Sequence, residues 1–547
     1  MVAASFMKLV PKLISAVVAL SFASGPAAAT ATAGPIVTQE GLVEGVEEDG
    51  VRVFKGIPFA APPVGDLRWR APAPPAPWPG VLKADRFSPI CVQRGAYPED
   101  SPPESMSEDC LTLNIWAPSD ASNAPLPVMV WIYGGGLRNG SASTPLYAGD
   151  GLARRGVIVV TVNYRLGVLG FLAHPELTAE SRDNASGNYG LLDQIAALAW
   201  VNRNIAAFGG DPDNVTVFGQ SSGSISISAL IASPLARGLF HRAIGQSGGL
   251  FEPLEASPEF KLKGAEEYGL RVAERLGAAS LRELRALPAD VLAEARFGPQ
   301  PNIDGYVLLD TPYAAYQSGA QNSVDVLIGS NAEEGLYFQS GREIRADNLT
   351  EVLNQDFPSF IVSLIGPKAQ ADDAAARAAF VAFEGDMRFG WNMWAWARLQ
   401  AGSGKGDAYF YRFGYKPPGA EGATHGAELP FVFDHLPAGS APADQAVADL
   451  MAAYWTNFAK TGDPNGAGLP AWPKYSLRDG EALLIGEATR AGAIPGEDGL
   501  KAIDALYRAV RLLMEYGIFI LGAVAAGVVL LLWKLISMIA RPRRKTV

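Results

Sequence analysis

Four short apolar runs constrain this chain more than any other feature: residues 128–133 (VMVWIY), 157–163 (VIVVTVN), 215–218 (VTVF) and 326–328 (VLI). Each is continuous rather than alternating, the pattern of a strand covered on both faces. Helical spacing fills the intervals. Residues 188–207, for example, carry Leu191, Leu192, Ile195, Leu198 and Ala199 and run on toward a stop at Gly209-Gly210. Buried strands alternating with helices require an α/β fold with an open, mostly parallel central sheet flanked by helices. Sites in such a sheet form at the carboxyl ends of its strands. The chain has 547 residues, 48% of them hydrophobic, and no linker or charge run divides residues 35–500. One large domain over 34–508 is therefore expected, although length alone suggests three. The proline-rich segment 71–79 (APAPPAPWP) reads as a rigid surface excursion. A net charge of −11 argues against a nucleic-acid partner.

The two ends differ from the globule. Residues 1–33 place Lys8 and Lys12 before an uncharged run and then small residues, the order of a secretory signal. Three overlapping cleavage frames end at Ala29, Ala31 or Ala33. Near the other end, residues 517–533 carry no charge, and 535–540 continue the apolar run past Lys534. As a helix this stretch spans roughly 36 Å, enough for a bilayer core of ~30 Å. Arg541, Arg543, Arg544 and Lys545 follow, which places a 541–547 tail in the cytoplasm. Residues 509–540 thus read as a juxtamembrane and transmembrane helix. A lipid-anchor signal is the alternative, but such signals usually end in their apolar tail. The expectation is an exported, single-pass protein with its globule on the periplasmic or extracellular side. Residues 499–515 have helical spacing with Ile503, Leu506, Val510 and Leu513 on one side, either a connecting helix or the last helix of the globule.

Cys91 and Cys110 are the only cysteines, and an oxidising compartment favours a disulfide between them. Closing so short a loop contributes roughly 3 kcal/mol in the chain-entropy treatment. No C-x-x-C or His/Cys cluster exists, so neither a zinc site nor a cofactor is expected.

The run 215–218 leads straight into Gly219-Gln220-Ser221-Ser222-Gly223. This G-x-S-x-G frame between a strand and an apolar helix is the pattern of a nucleophile elbow, with Ser221 at its centre. A serine hydroxyl needs a histidine base oriented by a carboxylate. Of the histidines at 174, 241, 425 and 435, the chain order serine–acid–histidine excludes His174 and leaves His425 ahead of His435 and His241. The acid should follow a strand between them. VDVLIGSNAEEG supplies Glu333 and Glu334, and the residues alone do not choose between the two. Oxyanion donors should be backbone N–H groups at a strand end. Gly134-Gly135-Gly136, after VMVWIY, offer them, and the Ser222 N–H would complete the hole.

Taken together, these segments resemble the type-B carboxylesterases, the group that includes the cholinesterases. The similarity runs through FKGIPFAAPPVGDLRWRAP (54–72), SEDCLTLNIWAPS (107–119), VWIYGGG (130–136) and VNYRLGVLGF (162–171). It continues through GNYGLLDQ…VTVFGQSSG (187–223), IGSNAEEG (328–335) and THGAELPFVF (424–433). The resemblance implies an α/β-hydrolase fold and a Ser221–Glu334–His425 triad, with Glu334 rather than Glu333 as the acid. It also implies oxyanion donors at Gly135, Gly136 and Ser222, and a Cys91–Cys110 loop. Two departures stand out: Gln220 replaces the commoner glutamate, and Ser222 the usual alanine. No tryptophan lies within 92–109, where cholinesterases hold a quaternary ammonium against one. Tyr97 is the only aromatic there, and Arg138 would repel a cation if it faced the site. The implied reaction is hydrolysis of small, neutral, fairly apolar carboxylic esters through an acyl-enzyme. Amides or carbamates at lower rate, or a non-enzymatic adhesion protein on the same fold, are the alternatives.

Overall fold

The computed structural model describes residues 31–94, 106–120 and 124–517. The signal-like segment up to residue 30, Tyr97, and the apolar run from 518 with its basic tail lie outside the described residues. Within them, one mixed sheet of 13 strands organises the chain. Its centre is parallel, in the spatial order Ile158–Val162, Leu126–Ile132, Gly210–Gln220, Arg242–Gln246, Asp325–Asn331, Ala408–Phe413 and Glu481–Ile485. The flanks are antiparallel. Ala31–Val37, Leu42–Glu48, Val51–Pro58 and Thr112–Pro118 extend one side, and Arg490–Ala493 closes the other.

The continuous apolar runs explain the centre. Residues 128–132 and 158–162 are buried throughout, with helices on both faces. Each such Val, Leu or Ile side chain contributes about 1.5–3 kcal/mol by leaving water. The predicted helix at 188–207 is Tyr189–Asn204 with a 3₁₀ turn Ile205–Phe208, and it ends on Gly209 at φ 92°. The antiparallel strands at the start escaped the sequence reading because LVEGVEE and VRVFKGIP mix charges with apolar residues, as half-covered flanking strands do.

Two boundaries of the globule narrow the alternatives that the sequence left open. The first strand begins at Ala31, inside the 1–33 segment, and pairs Ala31, Thr32 and Ala33 with Glu47, Val46 and Gly45. At the other end a helix runs from 497 through 517. Its docked face is Leu500, Ile503 and Tyr507 rather than a stripe reaching Leu513, which is 61% exposed. Tyr507 meets Trp391 edge-on at 4.6 Å, and the Arg511 guanidinium lies 3.5 Å over Tyr313. The helix therefore belongs to the globule up to Arg511. Beyond it, Leu512, Leu513, Met514 and Tyr516 face solvent. Among the described residues no helix is long and apolar enough to cross a membrane. Cys91 and Cys110 form a disulfide.

Candidate active site

The elbow at Ser221 follows from contacts between backbones. Ser221 has φ 56° and ψ −126°, a conformation that costs an L-residue on the order of 1–3 kcal/mol. Neighbouring bonds hold it there: Ser221 N–H donates to the Gln246 carbonyl at 2.8 Å, and its own carbonyl accepts from Ile225 N–H at 2.9 Å. The flanking glycines are obligatory. A Cβ on Gly219 would lie 2.5 Å from the Ile132 carbonyl oxygen, and one on Gly223 only 2.0 Å from the same atom.

The helix that follows, Ser222–Ala232 (SGSISISALIA), is built from poor helix formers. Burial sustains it instead, since nine of its eleven residues are buried. Ser224 and Ser226 donate their hydroxyls to the Gly248 and Ser222 carbonyls at 2.5 and 3.0 Å. Ser222 is its first residue, so its N–H has no carbonyl one turn back and points out of the helix end, where the dipole favours negative charge.

The turn 134–139 lies against this elbow. A Cβ on Gly134 would sit 3.0 Å from the Ser221 Cβ, and Gly135 and Gly136 adopt φ 115° and 63°. No backbone hydrogen bond engages the Gly135 or Gly136 N–H among the described residues. The Ser222 hydroxyl has a structural part that the sequence did not reveal: it accepts from the Leu137 N–H at 3.1 Å and so pins the turn to the elbow.

The acid and the base come from distant segments. The strand Asp325–Asn331 ends in the Glu333-Glu334 turn, and the two glutamates separate cleanly. Glu333 accepts from Ala423 N–H at 2.8 Å and braces the histidine loop. Glu334 is fully buried and accepts from His425 Nδ1 at 2.6 Å through Oε2. Its Oε1 accepts from Asn331 N–H at 2.8 Å and from the Ser247 hydroxyl at 2.5 Å, so the carboxylate is locked.

The structure thus joins Glu334 to His425 directly. It does not join Ser221 to His425 by a hydrogen bond among the described residues. His425 Nε2 instead accepts from Gln220 Nε2 at 3.1 Å. Burial disfavours the imidazolium, but the Glu334 hydrogen bond and charge, with a further contribution from Glu428, outweigh it and hold His425 above the ordinary histidine pKa. Glu428 is itself buried, raised first by burial and then by the Glu334 charge; Gln246 and Asn331 donate to it at 3.0 and 2.5 Å.

A five-residue π-helix, Asp386–Gly390, interrupts the helical run between Asp373–Gly385 and Trp391–Ser403. Such insertions are frequent at functional sites. Here it lays Phe389 flat on His425, with ring centres 4.2 Å apart and planes 16° apart, while Tyr337 meets the imidazole edge-on at 5.6 Å. Ser247, Phe389, Glu428 and the Gln220 contact escaped the sequence reading. Only Ser247, in GQSGG at a strand end, carried a usable local signal.

The other histidines serve packing. His174 Nδ1 accepts from Glu176 N–H at a helix start, His241 Nδ1 accepts from Val215 N–H, and His435 Nε2 bonds Asp150 at 2.9 Å.

A strained serine at a strand-to-helix elbow on a largely parallel sheet, facing a glycine turn and a buried Glu–His pair, defines a serine hydrolase of the α/β-hydrolase class. A sequence profile described as "Carboxylesterase family" matches residues 33–501. Fumonisin B1 esterase of Sphingopyxis macrogoltabida is 40% identical, over 85% of this chain and 88% of its own. Para-nitrobenzyl esterase of Bacillus subtilis (strain 168) is 37% identical, over 82% and 94%. Among solved structures, a PNB esterase superposes with TM-score 0.75 at 34% identity, and a Geobacillus stearothermophilus carboxylesterase with 0.74 at 35%. Each alignment covers 86% of this chain and 99% of the other. The chain belongs to the carboxylesterase family. It is a carboxylic-ester hydrolase.

Proposed function

We propose that Ser221 attacks the ester carbonyl, that His425 takes its proton and returns it to the leaving alcohol, and that Glu334 fixes the imidazole tautomer. Water then attacks the acyl-enzyme by the same route and releases the acid. The observation that carries this reading is the 2.6 Å Glu334–His425 bond beside a serine in the elbow conformation. With Nδ1 donating to Glu334, Nε2 is left as the basic nitrogen, and a small movement of the Gln220 amide frees it for Ser221. The N–H groups of Gly135, Gly136 and Ser222 bind the developing oxyanion, worth about 2.7–4 kcal/mol per donor in comparable sites. Phe389 and Tyr337 against His425 support a fairly apolar group next to the ester. The test is turnover of short-chain 4-nitrophenyl esters by the full chain and its Ser221→Ala form. Equal activity in the two would remove Ser221 from the mechanism.

The domain layout belongs to the same proposal. The chain begins with a signal segment removed after Ala29; the catalytic domain follows and keeps its last helix up to Arg511, a membrane-spanning helix runs on to residue 540, and 541–547 form a basic inner tail. The enzyme is exported and works on the periplasmic or extracellular side. The disulfide supports an oxidising compartment, and cleavage after Ala29 leaves the first strand whole. Exposed Leu512, Leu513, Met514 and Tyr516 beyond the docked half of the last helix support a path toward the membrane. Protease added to spheroplasts or intact cells expressing the full chain should remove the esterase activity. A protected enzyme, or one in the soluble cytosol, would contradict the layout.

A further inference from the structure

The turn against Ser221 carries its left-handed bend one residue beyond its glycines. Gly135 and Gly136 have φ 115° and 63°, and Leu137 follows at φ 58°. Glycine takes that region freely, but a Cβ there crowds the following carbonyl, so leucine stays in it only where its surroundings hold it. Three contacts hold Leu137. Its side chain is packed into the main core. Its carbonyl accepts from Gly167 N–H at 2.7 Å. Its N–H donates to the Ser222 hydroxyl, the side-chain hydrogen bond that ties the turn to the elbow.

The two ends of the turn have clamps of their own. At the entry, the Tyr164 hydroxyl donates to the Tyr133 carbonyl at 2.7 Å. At the exit, the Gln93 amide donates to the Gly140 carbonyl at 2.9 Å and accepts from Gly140 N–H at 2.8 Å. Loss of the Ser222 hydroxyl would therefore leave the turn in place and free its middle, where Gly135 and Gly136 stand. The buried Leu137 N–H would lose its partner, and the middle of the turn would shift to find another. That middle borders open space: a Cβ on Gly136 would meet nothing within 4 Å, whereas one on Gly135 would lie 2.1 Å from the Asn139 carbonyl oxygen.

We propose that the Ser222 hydroxyl is a positioning group for ester hydrolysis: through Leu137 N–H it sets the Gly135 and Gly136 N–H groups against the Ser222 N–H, so that all three converge on the carbonyl oxygen as it becomes an oxyanion. One residue then supplies a donor with its backbone and fixes the other two with its side chain. The alanine usual at this position in the family has no hydroxyl to make the tie, so the device belongs to this chain. Donors fixed in advance need no rearrangement when charge develops, so the hydroxyl acts on the transition state rather than on substrate binding. This inference rests on the esterase reading above.

The experiment measures kcat and KM for 4-nitrophenyl butyrate with the full chain and its Ser222→Ala and Ser222→Thr forms, with active sites counted by irreversible phosphonylation of Ser221. An alkyl trifluoromethyl ketone, whose carbonyl oxygen becomes anionic when Ser221 adds to it, reports the oxyanion site separately. Ser222→Ala should lower kcat per active site about tenfold, because its donors are loosened rather than deleted. Its KM should stay within about twofold, and its Ki for the ketone should rise about as much as kcat falls. Ser222→Thr, which keeps the acceptor oxygen, should recover most of both. If the alanine form does not fold, Ser222→Cys, of similar shape but a weak acceptor, should show the same paired change. An unchanged kcat per active site, a loss of kcat with no change in the ketone Ki, or a threonine form as impaired as the alanine form overturns the proposal. Failure of the esterase reading looks different: the parent does not cleave the butyrate, or Ser221→Ala cleaves it as fast as the parent.

Discussion

Two histidine–carboxylate pairs lie ten residues apart in the chain, His425 with Glu334 and His435 with Asp150. Their bond lengths, 2.6 and 2.9 Å, are alike, and in both the partner carboxylate holds the imidazole above its ordinary pKa against burial. The difference lies in what surrounds each pair. His435 is held charged further by the Pro145 carbonyl and the Asp434 carboxylate. His425 turns its second nitrogen toward the elbow, where only the Gln220 amide occupies it. The carboxylates differ too. Glu334 is fully buried and bonded on both oxygens within the site, whereas Asp150 is 30% exposed and shared with Arg154. A histidine–carboxylate pair is therefore not by itself a catalytic feature; in the proposed mechanism His425 acts because its second nitrogen meets only the Gln220 amide, next to Ser221 in the chain.

Substitution of the histidines should give the largest contrast. His425→Ala, like Ser221→Ala, should lower kcat by about 10⁴- to 10⁶-fold, while His435→Ala should stay within about twofold because it lies outside the constellation. Comparable losses at both histidines in steady-state assays would collapse the distinction. The carboxylates should follow with a smaller gap. Glu334→Gln should cost about 10²- to 10⁴-fold in kcat through loss of tautomer control, and Asp150→Asn should leave turnover intact.

The pH profile sharpens the comparison further. His425 must be neutral to accept a proton, and its pKa is raised, so kcat/KM should begin to fall on acidification above the ordinary histidine value. Glu334→Gln should move that limb to lower pH in whatever activity remains. A limb that does not move would assign it to another group.

The smallest effect concerns stability at the second pair. His435 has a raised pKa, so its contribution is complete below 6.5 and is lost as pH rises through the folded value. Asp150 is depressed to about 2, first by the His435 hydrogen bond, so its contribution is complete above 3.8 and is lost as pH falls toward 2. The Tm difference between the parent and His435→Ala should therefore be greatest near pH 5 and shrink above neutrality. The free-energy difference behind it should be about 1 kcal/mol or less for a partly exposed pair. A difference that grows toward pH 8 would contradict the assignment.

The sequence made legible what depends on neighbours in the chain. The Ser221 elbow and the Gly134–Gly136 turn were readable because their glycines mark close backbone approaches, as Ile132 makes at Gly219 and Gly223, or, at Gly136, a left-handed φ of 63°. The parallel core strands were readable because burial on both faces leaves continuous apolar runs. Contacts across long separations were not readable from residues alone. Glu334 and His425 stand 91 residues apart, and nothing local separates Glu334 from Glu333 or His425 from His435; the family resemblance was needed to choose. The π-helix has no sequence mark of its own, so Phe389 looked like one more apolar residue in a long helix. The last helix misled in a different way. Tyr507 docks where Leu513 was expected, because the surface it packs on ends at Arg511.

The glycines around Ser221 also bear on how this enzyme can change. Gly134, Gly219, Gly223 and Gly248 meet carbonyl oxygens at 2.0–2.7 Å from where a Cβ would stand, with no side chain in between. Side chains can absorb an altered neighbour by switching rotamer, but a layer of backbone on backbone has no such slack. Any residue larger than glycine at these four positions must displace the main chain that carries the nucleophile, so a library diversified there would return inactive variants almost uniformly. The elbow itself is closed to mutation, and change in this chain has to come from side chains around it.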